Sequence, residues 1–284
     1  MSLTYSIQGF DLHQPDKGFK LLVGSSFAPP VSPRRVDLEI PHMHGQVPLW
    51  DDPLSAQKLT LKVRIEDPDP AGLQQKWEHL RSLMWTGSNR GLTIRRVMAA
   101  QVTSAFGQLE TMNEPDFWLA RGMIDVVMLF NIPYGRWQSI ETYEHELEPT
   151  QGKTVEVPFV ADSTAPVTDA LFRVEGPTQS NWNFSIEDRT SRTGFYLEVG
   201  DPLDEDEYVI IDPGNYHAWY NGNDPSWDAR DVRYHHNMIP RDNGPLSMVS
   251  IPSLKIGERT TDIFKWSFNI VGAKTLVRGR KTYI

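Results

Sequence analysis

Residues 207–222 read EYVIIDPGNYHAWYNG, residues 249–270 read VSIPSLKIGERTTDIFKWSFNI and residues 274–284 read KTLVRGRKTYI. Apolar runs rich in β-branched and aromatic residues are parted by Asp212-Pro213-Gly214 and by the step from Pro252 to Gly257, which is turn chemistry. The stretch is hard to build into a catalytic centre. It is easy to build into the closing half of a β-sandwich whose last strand runs to Ile284.

Working upstream, further candidate strands recur at Thr154–Val160, Ala170–Glu175, Asn181–Glu187 and Gly194–Val199. With Glu207–Ile211, Tyr216–Tyr220, Val249–Ile251, Asp262–Val271 and Thr275–Ile284 they make strands at roughly ten-residue spacing with no helix between them. That pattern predicts a two-sheet sandwich of jelly-roll type. Asn223–Pro245 is long and rich in Asp, Asn, Pro and Arg, and reads as a surface loop of the kind that makes contacts. Glu141–Gly152, ETYEHELEPTQG, is acidic and aperiodic and ends in Pro and Gly. It reads as an exit strand or linker, with a domain boundary near residue 148.

The N-terminal part predicts strands around one helix. In Lys58–Glu66, Leu59, Leu61, Val63 and Ile65 alternate with Lys58, Thr60, Lys62 and Arg64, the period of a half-buried strand. Asp69 suits an N-cap and Pro70 a first helical position, and Leu73, Trp77, Leu80 and Met84 follow at helical spacing. A helix is expected over about 70–86, stopped by Gly87. The strand Leu119–Asn131 is apolar on both faces from Val126 to Phe130, so it is central or covered by a neighbouring subunit. Met123, Val126, Met128 and Phe130 are therefore the candidate subunit interface. The fold class expected is mainly β: a β-rich α+β domain over 1–148 and a β-sandwich over 149–284.

The chain has 284 residues, no cysteine and a formal charge of −9. Residues 1–148 hold 14 basic and 18 acidic side chains, and the remainder 14 and 19. A protein that grips nucleic acid electrostatically carries a basic excess. This one would let DNA pass without specific binding. Absence of cysteine excludes disulfides, thiolate catalysis and cysteine-bound zinc. No stretch approaches the roughly 18 apolar residues of a membrane span, and no secretory signal opens the chain, so a soluble protein made in the cytosol is expected.

Sites of chemistry are few. His42 and His44 could begin a metal site but lack a third ligand; the adjacent His235 and His236 would point to opposite faces of a strand. Asp201–Glu207 holds five carboxylates in seven residues, yet without EF-hand spacing it reads as a solvated hairpin. No nucleophile, zincin or phosphate-loop motif occurs, so no catalytic residue, metal or cofactor is expected. Tyr216, Trp219, Tyr220 and Trp227 are the candidate glycan contact, against the plainer readings of buried sandwich aromatics or an inter-subunit interface. The acid-free C-terminal run, with Lys265 and then Lys274, Arg278, Arg280 and Lys281, is the candidate docking surface for an acidic partner or a neighbouring copy.

The order of these blocks carries a resemblance. KLTLKVRIED, PAGLQQKWEHLRSLMW, GLTIRRV and a long apolar strand closing at NIPYGRW precede ALFRVEG, GFYLEVG, EYVIID, IPSLKIG and a basic strand ending in TYI. The chain resembles the distal tail proteins of long-tailed bacteriophages, with IPSLKIGERTTDIFKWSF as the most telling block. The resemblance implies a virion protein that forms a homo-oligomeric ring, usually of six copies. The N-terminal domains would continue the channel of the tail tube, with tail tube and tape-measure proteins as neighbours. A galectin-like or carbohydrate-module-like sandwich would hold baseplate hub or fibre proteins. It carries over no catalytic residue. A glycan-binding receptor module, and after it a glycosidase on a sandwich fold, are the other readings.

Overall fold

A computed structural model describes residues 3–26, 37–39, 46–48, 56–88, 91–99, 101–113, 117–118, 122–147, 157–188, 193–215, 217–228, 232–233, 238–242, 251–252, 259–260, 263–264 and 273–283. The chain is mainly β and divides into two compact units, Met1–Ile140 and Glu141–Tyr283.

The first unit runs β1 (Leu3–Ile7), β2 (Phe10–Asp11), β3 (Phe19–Leu21), β4 (Asp37–Glu39), β5 (Gln46–Pro48), β6 (Gln57–Glu66), α1 (Pro70–Ser88), β7 (Leu92–Met98), β8 (Gln101–Met112), β9 (Phe117–Trp118), β10 (Met123–Ile132) and β11 (Trp137–Ser139). Its main sheet is antiparallel in the order β2-β1-β7-β8-β10-β6-β3, with β9 beside β10 and β11 beside β8. The alternation of β6 is realised: Leu59, Leu61, Val63 and Ile65 are buried and their neighbours are not. β10 lies between β6 and β8, and its register sets Val126 opposite Val63, Met128 opposite Leu61 and Phe130 opposite Leu59. These core-facing pairs are closed by α1, which buries Leu73, Leu80 and Met84.

Local chemistry sets the turn into that helix. The Asp69 carboxylate accepts from the amides of Ala71 and Gly72 at 3.3 Å each, an N-cap in front of Pro70. The preceding corner is pinned by two glycines with left-handed φ, Gly18 (+80°) and Gly122 (+60°). Their carbonyls accept from the amides of Glu66 and Asp67, and a side chain at either position would strike the carbonyl oxygens of those residues. Lys76 reaches back 2.8 Å to the Asp67 carboxylate and 3.0 Å to the Glu66 carbonyl. That contact, with the Asp69 amide, holds Asp67 below the usual carboxylate range. The helix continues through Gly87 to Ser88, beyond the expected stop, because a glycine ends a helix only when it turns left-handed and otherwise costs about 1 kcal/mol.

The second unit contains β12 (Tyr143–Leu147), α2 (Pro158–Ala161), β13 (Leu171–Glu175), β14 (Trp182–Asp188), β15 (Thr193–Val199), β16 (Tyr208–Asp212), β17 (His217–Tyr220), β18 (Val232–Arg233), β19 (Met238–Asp242), β20 (Ile251–Pro252), β21 (Arg259–Thr260), β22 (Ile263–Phe264), β23 (Lys274–Gly279) and β24 (Thr282–Tyr283). One sheet has the order β12-β23-β13-β16-β17-β18 and the other β19-β15-β14-β22. Phe172 from the first meets Phe184 and Phe195 from the second, with ring centroids 5.5 and 5.9 Å away. Around them Val174, Val209 and Val277 face Trp182, Ile186 and Leu197 in one buried cluster, the inter-sheet core of a sandwich.

Two expectations change here. The candidate strand Thr154–Val160 includes the start of α2, a single turn that Pro158 opens and that buries Phe159, Val160 and Ala161. The division into units falls at residue 140, not 148, because β12 pairs along its whole length with β23 inside the sandwich.

Candidate functional site

The interface expected of β10 is not available on the residues that suggested it. Val126, Met128 and Phe130 are wholly buried within their own chain, and only Met123, at the strand end, is half-buried. Of the two explanations for a strand apolar on both faces, central position accounts for these three. The outward positions of β10 are Asp125, Val127, Leu129 and Asn131, all half-buried.

The outward face of the first unit has two characters. Across β3, β6 and β10 and the far end of β8 it is laced by cross-strand ion pairs: Arg64 holds Asp125 through two bonds of 2.7 and 2.8 Å, Lys20 pairs with Glu66, and Lys58 with Glu110. The Arg64 bonds hold the Asp125 carboxyl below its ordinary range. Across β7, the near end of β8 and the turn before β11 the face changes. Phe106 (40% exposed), Tyr134 (61%), Val102 and Ile140 stand in solvent, with the Phe106 and Tyr134 rings 6.4 Å apart and the Arg136 guanidinium over Tyr134. Arg95 is exposed there and has no ion-pair partner among the described residues. On the other side of the unit, Trp85 is 75% exposed in a shallow cleft of α1 with Glu78, Arg81 and Ser82. Together with Val23, these make up the exposed large hydrophobic side chains among the described residues, and all lie before Glu141.

The candidate docking strand also differs from its expectation. Antiparallel pairing places Glu144 opposite Arg278. Arg278 lies 4.0 Å from Glu144, Lys274 lies 3.5 Å from Glu146 and 3.8 Å from Glu175, and Lys281 lies 2.7 Å from Asp162, which raises its pKa. Lys274 and Arg278 are thus met by the acidic segment that read as a linker, and Lys281 by Asp162. Arg280 is exposed, while Lys265 lies outside the described residues.

The aromatic set separates. Tyr216 lies outside the described residues. Trp227 is 6% exposed, wedged against the guanidinium groups of Arg173 (5.0 Å) and Arg278 (5.8 Å). Pro225 accepts a hydrogen bond from Arg173, and Asn221 donates to the Ser226 carbonyl at 3.0 Å. The start of the long loop therefore folds over the six-stranded sheet, and Arg173 and Arg278 take the Trp227 ring that a sugar would need. Tyr220 packs on the sandwich core and donates its hydroxyl to Glu207. Trp219 remains half-buried, edge to face with His217 at 5.2 Å.

Asp201–Glu207 forms a turn in which Glu207 accepts from the Asp204 amide at 2.7 Å. Among the described residues, no group of three or more His, Asp or Glu side chains is arranged to hold a metal ion. His42, His44, His235 and His236 lie outside them. No described helix is long and apolar enough to cross a membrane.

The architecture has a counterpart among solved structures. The crystal structure of the SPP1 Dit (gp 19.1) protein, described as a paradigm of the hub adsorption apparatus in phages infecting Gram-positive bacteria, superposes with a TM-score of 0.63 at 13% identity. The match covers 100% of both chains. The fold is that of a phage distal tail protein. Two structures of the phage P2 baseplate in its activated conformation, with Ca and with Sr, cover 98% of this chain and of theirs. They match at 9 and 10% identity with TM-scores of 0.40 and 0.42, too distant to add to that statement. No protein-family model and no curated protein matches the sequence.

Sequence reasoning missed the exposed pair Phe106 and Tyr134. The signal was present: GLTIRRV and AFGQL are adjacent strands, and IPYGRW is a turn that displays its tyrosine. The outward positions of the two strands carry Arg95 and Phe106 where a solvated face would carry acids as well.

Proposed function

We propose that this chain is a structural, non-catalytic virion protein, a distal tail or baseplate-hub subunit. In this reading several copies, six in the resembling family, form a ring through the first unit. The ring joins the tail tube to baseplate or fibre proteins and leaves a passage for DNA. The observation that carries it is the full-length likeness to the SPP1 hub protein, which spans both units and not the sandwich alone. Concentration of the exposed large hydrophobic side chains in the first unit supports assembly through that unit, since large apolar patches mark interaction sites. The second unit, with Lys274, Arg278 and Lys281 paired internally and Trp227 covered, fits a rigid platform for protein contacts better than a sugar-stacking site.

Light scattering on the purified chain, followed by negative-stain imaging and mixing with tail tube protein, tests the reading. Closed particles of defined mass that cap tube ends are expected. A chain that stays monomeric at high concentration and never joins the tube protein would remove it.

A further inference from the structure

We infer that the apolar half of the first unit's outward sheet face, centred on Phe106 and Tyr134, docks a second copy of this chain at the α1 cleft around Trp85. The inference rests on the ring reading above and names the two surfaces that would make the ring.

The outward face offers two halves, and only one is suited to be covered. Around β3, β6 and β10, Lys20, Lys58 and Arg64 already hold acidic partners, so covering them would desolvate satisfied ion pairs with no new bond to compensate. Around β7 and β8, Phe106 and Tyr134 expose apolar rings and Arg95 presents a charge with no partner among the described residues. Tyrosine and arginine are the residue types that dominate binding energy at interfaces. The patch is also preformed. Gly91 has φ +78°, and a side chain there would overlap the Phe106 ring, so the ring lies directly over that glycine.

Direction then selects the partner surface. Helix α1 packs its Leu73, Leu80 and Met84 face onto the inner side of the sheet that contains β6, β7 and β8. The Trp85 cleft therefore opens away from the sheet, and Phe106 points to the opposite side of the same unit. Two unlike apolar patches on opposite sides of one subunit make a head-to-tail contact, the heterologous type, which forms a ring when the rotation between copies closes. An isologous dimer would need one patch to meet itself, bringing two copies of Arg95 and Arg136 into a single contact. At the cleft, which Arg81 also lines, Glu78 offers Arg95 a carboxylate with one oxygen already taken by Gln74.

The test uses the full chain with Tyr134→Glu and Trp85→Glu, and with Tyr134→Ser and Trp85→Ser as milder partners. Circular dichroism and melting temperature serve as fold controls. Light scattering should show a closed assembly for the wild type and a shift to monomer mass for each charged variant. Mixing the Tyr134→Glu and Trp85→Glu chains should give a two-chain complex and nothing larger, because each retains one intact surface. If the wild type assembles and all variants assemble equally, these surfaces are not the contact, and the ring reading stands without them. If the charged variants are monomeric yet fail to combine, the two surfaces do not meet and the pairing is overturned. A wild type that is monomeric throughout overturns both statements.

Discussion

Arg96 occupies a position where the alternation of β7 calls for an apolar side chain: Leu92, Ile94 and Arg96 share the inward face, and Arg96 is 3% exposed. Its guanidinium lies 4.3 Å over the ring of the wholly buried Trp137, whose indole N–H donates to Gln57 at 3.1 Å. Gln57 in turn donates to the Gly135 carbonyl, so the amide is used at both ends. Burial depresses the Arg96 pKa and pushes the Tyr5 hydroxyl up to about 12, the two groups partly offsetting each other. Arg96→Ala should cost about 3 kcal/mol in urea unfolding, by leaving a void against Trp137. Arg96→Met should cost less, because buried charge is often replaceable by apolar bulk of similar size. Asp125 makes a different prediction. Its folded pKa is depressed by Arg64, so its contribution is present above the unfolded carboxyl value, about 4, and is lost as pH falls through the folded value. Asp125→Asn should lower stability at pH 7 by less than about 1 kcal/mol, since the carboxylate is 43% exposed. It should also flatten the decline in stability that urea unfolding measures as pH falls below about 4. Neither residue was legible beforehand. Alternation identifies a face, but which charge tolerates burial depends on an aromatic from a distant strand.

Among the elements, those with a repeated period were legible and those with a single turn were not. β6 and α1 carry enough alternations or turns for one face to be unmistakable. Thr154–Val160 is a short apolar run, in which strand and helix cannot be separated by period, and Pro158 starts a turn there. β12 was obscured by its own chemistry: TYEHEL lacks an apolar period because its outward glutamates answer Lys274 and Arg278 on the neighbouring strand. The loop over the six-stranded sheet gives the prediction at this scale. Trp227 seals Arg173 and Arg278 and is nearly buried, so Trp227→Ala should destabilise the sandwich by about 3 kcal/mol. Limited proteolysis should then cut within 221–228. Trp227→Phe should retain most of the stability, since cation–π attraction survives in a smaller ring. The assembled mass should be unchanged in both, because the loop belongs to the second unit.

For the whole molecule, the order of blocks was the readable quantity, and the surfaces were not. At 13% identity the fold of a phage hub protein persists, because alternation, turn residues and core volume constrain a chain far less tightly than residue identity does. Surface patches have no period, so they emerge only when β7, β8 and the turn before β11 are brought together. The same property makes their energetics testable. An interface built on Phe106, Tyr134 and Trp85 draws on apolar burial, about 25 cal/mol per Å², which is insensitive to ionic screening. One built on Arg95, Arg136 and Glu78 would weaken as the screening length falls to about 3 Å near 1 M salt. The mass distribution measured by light scattering should therefore hold from about 0.05 to 1 M sodium chloride and shift further toward the ring in sulfate, which strengthens burial. Dissociation to monomer at high chloride would instead assign the contact to charge.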